Sequence, residues 1–269
     1  MIEKHVPLVC PTHGERLFGL IITCDIVSGT SKFLIEEIIK ALYEIGYTDI
    51  KASIYNKQKN KAILFLYLTV IEPNIKPEDV IKELKRRVKG VNITYILPQT
   101  PFILVDTIGY PLKSGDIRIL ALDEKALNIA FSEMTRRMGM TALVIQFYMG
   151  YYIGRSIVKT YYNLLFGDKE EEVEIAFTMF LNLLQAMGWG RFELLEFTSK
   201  RITVRVKDVI GLLARMEAEK PRLGSIDPFT RSLIAGILRE ITGQDWHGRE
   251  VSFEIKENKT EMIFEYKLL

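Results

Sequence analysis

The chain has 269 residues, 48% apolar and 26% charged, the make-up of an ordinary globular protein and enough length for two domains of about 100–200 residues each. Its 36 lysines and arginines nearly balance 34 aspartates and glutamates, so bulk charge makes no case for nucleic acid or an anionic membrane as partner. No apolar stretch reaches the ~20 residues of a membrane span, and no basic segment leads into an apolar run at the start. The two cysteines, Cys10 and Cys24, predict a reducing, cytoplasmic setting and no disulfide scaffold.

Residues 1–16 read as a polar lead-in. The run 17–27 holds Leu17, Phe18, Leu20, Ile21, Ile22, Ile26 and Val27, which predicts a buried strand. Ser28-Gly29-Thr30-Ser31 then turns the chain and ends in helix-capping residues. Leu34, Ile35, Ile38, Ile39, Leu42 and Ile45 recur at helical spacing as far as Gly46. Strands are expected at 50–55 and 62–71, around a polar turn at 56–60. Pro77-Glu78-Asp79 opens a helix through Val80, Ile81, Leu84 and Val88, and 91–97 is a fourth strand. The order βαββαβ is the ferredoxin-like plan, two helices on one side of an antiparallel sheet. On that outline, with Ser28-Gly29-Thr30 between first strand and first helix, residues 17–97 resemble the ACT family of regulatory domains. The resemblance implies amino-acid binding at Ser28, Gly29 and Thr30, or sheets paired edge to edge. A dimerisation or packing module, with Gly29 there only to turn the chain, is the other reading of those residues.

Pro98-Gln99-Thr100-Pro101 blocks both helix and ladder, and sets a boundary between 1–98 and 99–269. Short strands are expected at 102–105 and 117–122. Asp123 then caps a helix through Leu127, Ala130, Phe131 and Met134 to Gly139. In a helix over 141–166, Phe147, Gly150, Tyr151, Gly154, Val158 and Tyr161 share one face. A glycine in a helix interior costs about 1 kcal/mol against alanine, so Gly150 and Gly154 predict that a second helix or a ligand comes very close. Asp168 is expected to cap the next helix, with Glu170, Glu171 and Glu172 in its first turn, where the macrodipole favours anions. Val173, Ala176, Phe177, Phe180, Leu184 and Met187 make its buried face. A hairpin follows at 192–197 and 201–206, with Ile202, Val204 and Val206 alternating against Arg201, Thr203 and Arg205. A helix is expected at 209–216. Asp227-Pro228 starts another, carrying Leu233, Ile234, Ile237, Leu238 and Ile241 to Gly243. A last hairpin occupies 250–255 and 260–268.

The Gly150-Tyr151-Tyr152-Ile153-Gly154 helix, the Asp227-Pro228-Phe229 start, and Gly236 and Gly243 beyond it resemble the 4-vinyl reductase (4VR) domain family over about 142–269. That family shares its α/β plan with subunits of the TRAPP vesicle-tethering complex. The resemblance implies a small-molecule-sensing or scaffold domain with an apolar pocket, commonly dimeric. Many members carry metal-binding cysteines in the final hairpin. Here it reads Val251-Ser252-Phe253-Glu254-Ile255 and Met262-Ile263-Phe264, so no metal is expected there.

Catalytic chemistry finds little footing. His5, Cys10, His13 and Cys24 lack the second ligand pair of a zinc ribbon. No Gly-x-Ser-x-Gly elbow occurs, and Gly29-Thr30-Ser31-Lys32 lacks the spacing of a phosphate loop. The basic runs at 82–87 and at Arg136-Arg137 have no stacking aromatics beside them and read as solvated helix faces. The expectation is an α+β protein, ferredoxin-like in its first half and 4VR/TRAPP-like in its second, with no catalytic role and no cofactor. It would bind a small apolar or aromatic ligand at Phe147, Tyr148, Gly150, Tyr151, Gly154, Phe177 and Phe180, and act as a homodimer. The alternatives are a homodimeric TRAPP-type adaptor that uses the same faces only to assemble, and a tetrapyrrole-related enzyme.

Overall fold

The computed structural model describes residues 9–11, 16–25, 31–45, 50–58, 61–70, 76–98, 103–105, 113–114, 117–168, 170–208, 226–256 and 259–269. Ser28, Gly29, Thr30, His5, His13 and the helix expected at 209–216 lie outside them. By its contacts the chain divides into Met1–Leu120 and Ala121–Leu269. The division falls after Leu120, whereas the prolines at 98 and 101 predict it after residue 98.

The first unit is built on β2 (Arg16–Asp25), α1 (Ser31–Glu44), β3 (Ile50–Gln58), β4 (Lys61–Val70), α2 (Pro77–Arg87) and β5 (Val91–Ile96). The strands form an antiparallel sheet in the order β3-β4-β2-β5, the ferredoxin-like arrangement. Phe18, Leu20 and Ile22 of β2 and Leu64, Leu66 and Leu68 of β4 cluster with Ile38, Ala41 and Leu42 of α1 and Val80 and Leu84 of α2. Ile21, Tyr67 and Ile96 are buried on the opposite face. The central strands are therefore covered on both sides, which is why they appear in the sequence as continuous apolar runs without alternation. The basic run of α2 is a solvated face: Arg86 and Arg87 hydrogen-bond Glu83 and hold its carboxyl at about 2.

Two features depart from expectation. The lead-in contains a strand, β1 (Val9–Pro11), paired antiparallel with β6 (Ile103–Val105). Three residues are too few to show a period. β3 continues through the polar residues 56–58, because each has a ladder partner on β4 as far as Gln58 opposite Lys61. A short ribbon, β7 (Lys113–Ser114) with β8 (Ile117–Arg118), completes the unit's described elements.

The second unit comprises α3 (Glu124–Met138), α4 (Met140–Phe166), α5 (Val173–Ala186), β9 (Arg191–Phe197), β10 (Arg201–Lys207), α6 (Pro228–Thr242), β11 (Trp246–Lys256) and β12 (Lys259–Leu268). Asp123 caps α3 by accepting from the Ala126 N–H at 2.8 Å, and Gly139, at φ 55°, separates α3 from α4. α5 begins later than expected, with Glu172 at its N-cap position. The acidic run precedes the helix, and its Glu171 N–H donates to the Tyr162 hydroxyl at 3.4 Å. A tertiary hydrogen bond thus holds the backbone that charge pattern alone assigns to a first turn.

The sheet order is β11-β12-β10-β9, antiparallel throughout. Ile202, Val204, Val206, Met262, Phe264 and Tyr266 are buried. Ion pairs such as Arg205 with Glu193 and Glu261 tie neighbouring strands together. α6 is the unit's centre: from Pro228 to Leu238 every residue but Arg231 is buried. A helix apolar on nearly all sides is one enclosed by neighbours, here α4 and α5 as well as β11. Among the described residues no helix is long and apolar enough to cross a membrane.

Candidate functional site

Two helices meet backbone to backbone. A Cβ built on Gly150 would fall well inside contact of the Phe229 carbonyl and Ser232 Oγ, and one on Gly154 would strike the Leu233 carbonyl. Across the seam a Cβ on Gly236 would strike the Tyr151 carbonyl. The pairings advance together along both helices, so α4 and α6 run parallel. The close approach expected at Gly150 and Gly154 is thus made by a helix of the same chain, and their face is filled by protein atoms. Farther along, Arg155 Nε meets Glu240 at 2.8 Å and Lys159 Nζ lies 3.6 Å from it. Burial works to raise the Glu240 carboxyl, but these two cations prevail and hold it below the usual carboxylate range. On the α3 side, buried Gln146 donates to Thr135 Oγ1 at 3.2 Å.

The aromatic residues separate into two groups. Phe177 and Phe180 are fully buried core residues: Phe177 packs on Phe197, and Phe180 on Tyr162 and Phe166. Phe147, Tyr148, Tyr151 and Tyr152 form a ladder on α4, with Phe147 stacked on Tyr151 at 6.4 Å and Tyr148 on Tyr152 at 6.4 Å. Tyr148 and Tyr152 are more than half exposed, whereas Phe147 and Tyr151 are half-buried. The Arg155 guanidinium stands 5.8 Å from the Tyr151 ring.

Beside this ladder lies an open groove of about 310 Å³, lined by Met140, Leu143, Val144, Phe147, Tyr148, Pro228 and Arg231. Its walls are the start of α4 and the first turn of α6. Of the ligand candidates read from sequence, Phe147 and Tyr148 line it. Arg231 escaped that reading. The available signal was its place as the lone charge in the apolar stretch Pro228–Leu238. Its guanidinium carbon lies 6.0 Å from the Phe147 ring centroid, within reach of the ring's negative face.

The first turn of α6 is held from below. Asp227 caps it, accepting from the Thr230 N–H at 2.9 Å, and Pro228 takes the first helical position. Buried Glu250 on β11 accepts from the Asp227 N–H at 2.9 Å and the Ile226 N–H at 3.1 Å. A bulge in β11 between Glu250 and Ser252 turns this carboxylate inward and leaves Val251 and Ile255 exposed. The alternation of Val251, Phe253 and Ile255 therefore does not mark a core face. The buried Tyr266 hydroxyl donates to the Arg231 carbonyl at 2.9 Å, and its ring occupies the space that a side chain at Gly248 would need.

Burial pushes the Tyr266 phenol well above its ordinary value of 10. The unfolded chain ionises first, so this contribution to stability is intact below pH 10 and is lost progressively as pH rises beyond it. Tyr266→Phe is expected to cost about 1 kcal/mol at neutral pH for the lost hydrogen bond. It should also flatten the alkaline fall in stability. Urea denaturation at pH 7 and across the alkaline range checks both.

Among the described residues no group of three or more His, Cys, Asp or Glu side chains is placed to hold a metal. No family model matches the chain, and no curated protein matches it. Solved structures do. The phenol-responsive sensory domain of the transcription activator PoxR, solved with phenol, is similar at 16% identity over 58% of this chain and 79% of that one, TM-score 0.48. A mutant H-NOX domain of T. Tengcongensis is similar at 15% identity over 56% and 77%, TM-score 0.36. An oxygen-binding H-NOX domain related to soluble guanylate cyclases follows at 14% identity over 56% and 75%, TM-score 0.35. These are partial likenesses of outline.

Proposed function

We propose that this protein binds a small apolar or aromatic molecule without transforming it, as a cytoplasmic regulator whose second unit is of 4VR type. The observation that carries the reading is the groove's lining. Met140, Leu143, Val144, Phe147, Tyr148 and Pro228 form an apolar wall around one charged group, Arg231. Small-molecule sites have this composition, a mostly apolar surface with few oriented polar groups, and volumes of about 300–1,000 Å³. The groove stands at the small end of that range, room for a ring and a short chain. Its walls come from both α4 and α6, so a bound molecule bridges the two. It regulates to the extent that it prefers one arrangement of these helices over another. The ferredoxin-like unit, ACT-like in this reading, assists that regulation or dimerisation.

Val144 is half exposed on the groove's rim, so Val144→Trp fills the groove at little cost to the core. Thermal-shift screening with apolar and aromatic compounds is expected to find ligands that stabilise the wild type, and Val144→Trp should weaken them at least tenfold with its own melting temperature unchanged. Silence across the panel, together with no small molecule in native mass spectra of fresh protein, would sink the reading.

One observation favours a second reading, the homodimeric adaptor. Met140, Val144, Tyr148 and Tyr152 are exposed at four-residue intervals and make one apolar stripe along α4. An adaptor would bury this stripe against a second copy. Light scattering then shows a dimer that Tyr148→Glu with Tyr152→Glu converts to monomer; a wild-type monomer excludes it.

A further inference from the structure

Resting on the groove just described, we infer that its missing side is supplied by a second copy of the chain laid along α4, so that the bound molecule and the dimer stabilise each other. The groove and the exposed stripe of α4 share three side chains, Met140, Val144 and Tyr148. These are 73%, 51% and 55% exposed, so the groove is open along the stripe. A small-molecule site encloses about 70–90% of its ligand's surface, which a groove open on that side does not reach. Whatever lies on the stripe lies across the groove's mouth.

The chemistry of the stripe points to a second copy. From Met138 to Gly154 the chain carries no charged residue, although charges make up 26% of the whole. A helix without a charged face is ordinarily enclosed by neighbours. Here α6 covers the glycine side of α4, while Tyr148 and Tyr152 stand exposed on the other. In a two-fold pair one patch meets itself, so a charge near the axis would face its own kind. The stripe brings none. The charges at its ends are paired within the chain, Arg136 and Arg137 with Glu133, and Arg155 with Glu240. An acidic or basic partner would find no counter-charge along it.

The size of the stripe explains why a ligand is needed. Its large side chains, about half exposed, give it on the order of 500 Å², against about 800 Å² on each partner in a stable dimer. Two bare copies therefore hold each other weakly. A molecule enclosed between groove and copy adds the surface that the pair lacks. By linkage, the dimer tightens that molecule's binding by the same factor.

Sedimentation velocity of the full chain, with and without 3-phenylpropanol as probe, follows the pairing, and titration calorimetry follows the probe. The probe is expected to lower the concentration at which dimers form by about tenfold or more. Tyr152 belongs to the stripe but does not line the groove. Tyr152→Glu should therefore hold the chain monomeric and, through loss of the second copy, weaken the probe by about fivefold or more. Leu164→Glu, at a similarly exposed position farther along α4, should change neither. Probe binding that leaves the monomer–dimer equilibrium unmoved, or that survives Tyr152→Glu at full strength, overturns the inference and leaves the groove as a site complete within one chain. A dimer loosened by the probe overturns it as well, because the copy then competes for the groove. No binding of the probe, or binding indifferent to Val144→Trp, overturns the groove reading and the inference with it. Should Tyr152→Glu fail to fold, the wild-type equilibrium decides alone.

Discussion

Gly154→Ala is expected to destabilise the protein by about 3 kcal/mol, although alanine is the better helix former by about 1 kcal/mol. The added methyl would fall within 3.0 Å of the Leu233 carbonyl, inside the limit that real Cβ atoms keep. A backbone carbonyl cannot rotate aside as the end of a flexible side chain does. The helices must part, and the seam at Gly150 and Gly236 opens with them. For a unit of this size the loss corresponds to a fall of roughly 6–12 °C in melting temperature. Ser156→Ala, on an exposed position of the same helix, is the control and should change stability by no more than about 0.5 kcal/mol. Differential scanning calorimetry of the two variants separates crowding at the seam from helix propensity. An unchanged melting temperature for Gly154→Ala contradicts the tight seam. Gly154→Leu extends the same clash and is expected to unfold the second unit outright, with no dimer required for the effect.

Glu250→Ala is expected to cost about 2–4 kcal/mol, because it strands two buried backbone N–H groups, those of Ile226 and Asp227, which the carboxylate now receives. Glu250→Gln should be nearly as harmful. Its amide keeps one acceptor and turns a donor toward the second N–H. Glu254, exposed on the same strand, is the comparison, and its replacement by alanine should cost less than about 1 kcal/mol. Urea denaturation midpoints measure all three. The loss extends to the groove, since the N–H groups that Glu250 receives lead directly into Pro228 and Arg231 of its lining. Glu250 is a positioning residue in that sense: a folded Glu250→Gln protein should bind the apolar or aromatic ligands found by thermal shift several-fold more weakly than wild type. A variant as stable as wild type would mean that these N–H groups find other partners.

Much of the fold could be read locally. The βαββαβ order of the first unit follows from apolar periods and from glycines and prolines at element ends. Asp123 and Asp227 announce helices that begin where expected, since a cap is a contact between near neighbours in sequence. The misreadings share another cause. β1 and the end of β3 are strands because a distant segment offers hydrogen bonds, Cys10 opposite Leu104 and Gln58 opposite Lys61. Polar composition does not reveal such partners. The inward turn of Glu250 comes from one extra residue in β11, and the late start of α5 goes with a bond to Tyr162.

For the site, residue types and spacing alone require that something approach Gly150 and Gly154 closely, and that aromatics cluster on the same helix. Both follow from residue size and from the period of a helix. What approaches is fixed by the packing of distant segments. That packing sets α6 against the glycines, sends Phe177 and Phe180 to the core, and leaves Phe147 and Tyr148 at an open groove with Arg231 opposite. A helical period tells which residues share a face. Which face is covered, and by what, depends on contacts across some eighty positions of chain, from Gly150 to Phe229 and from Arg155 to Glu240, and no local pattern encodes a distance of that kind.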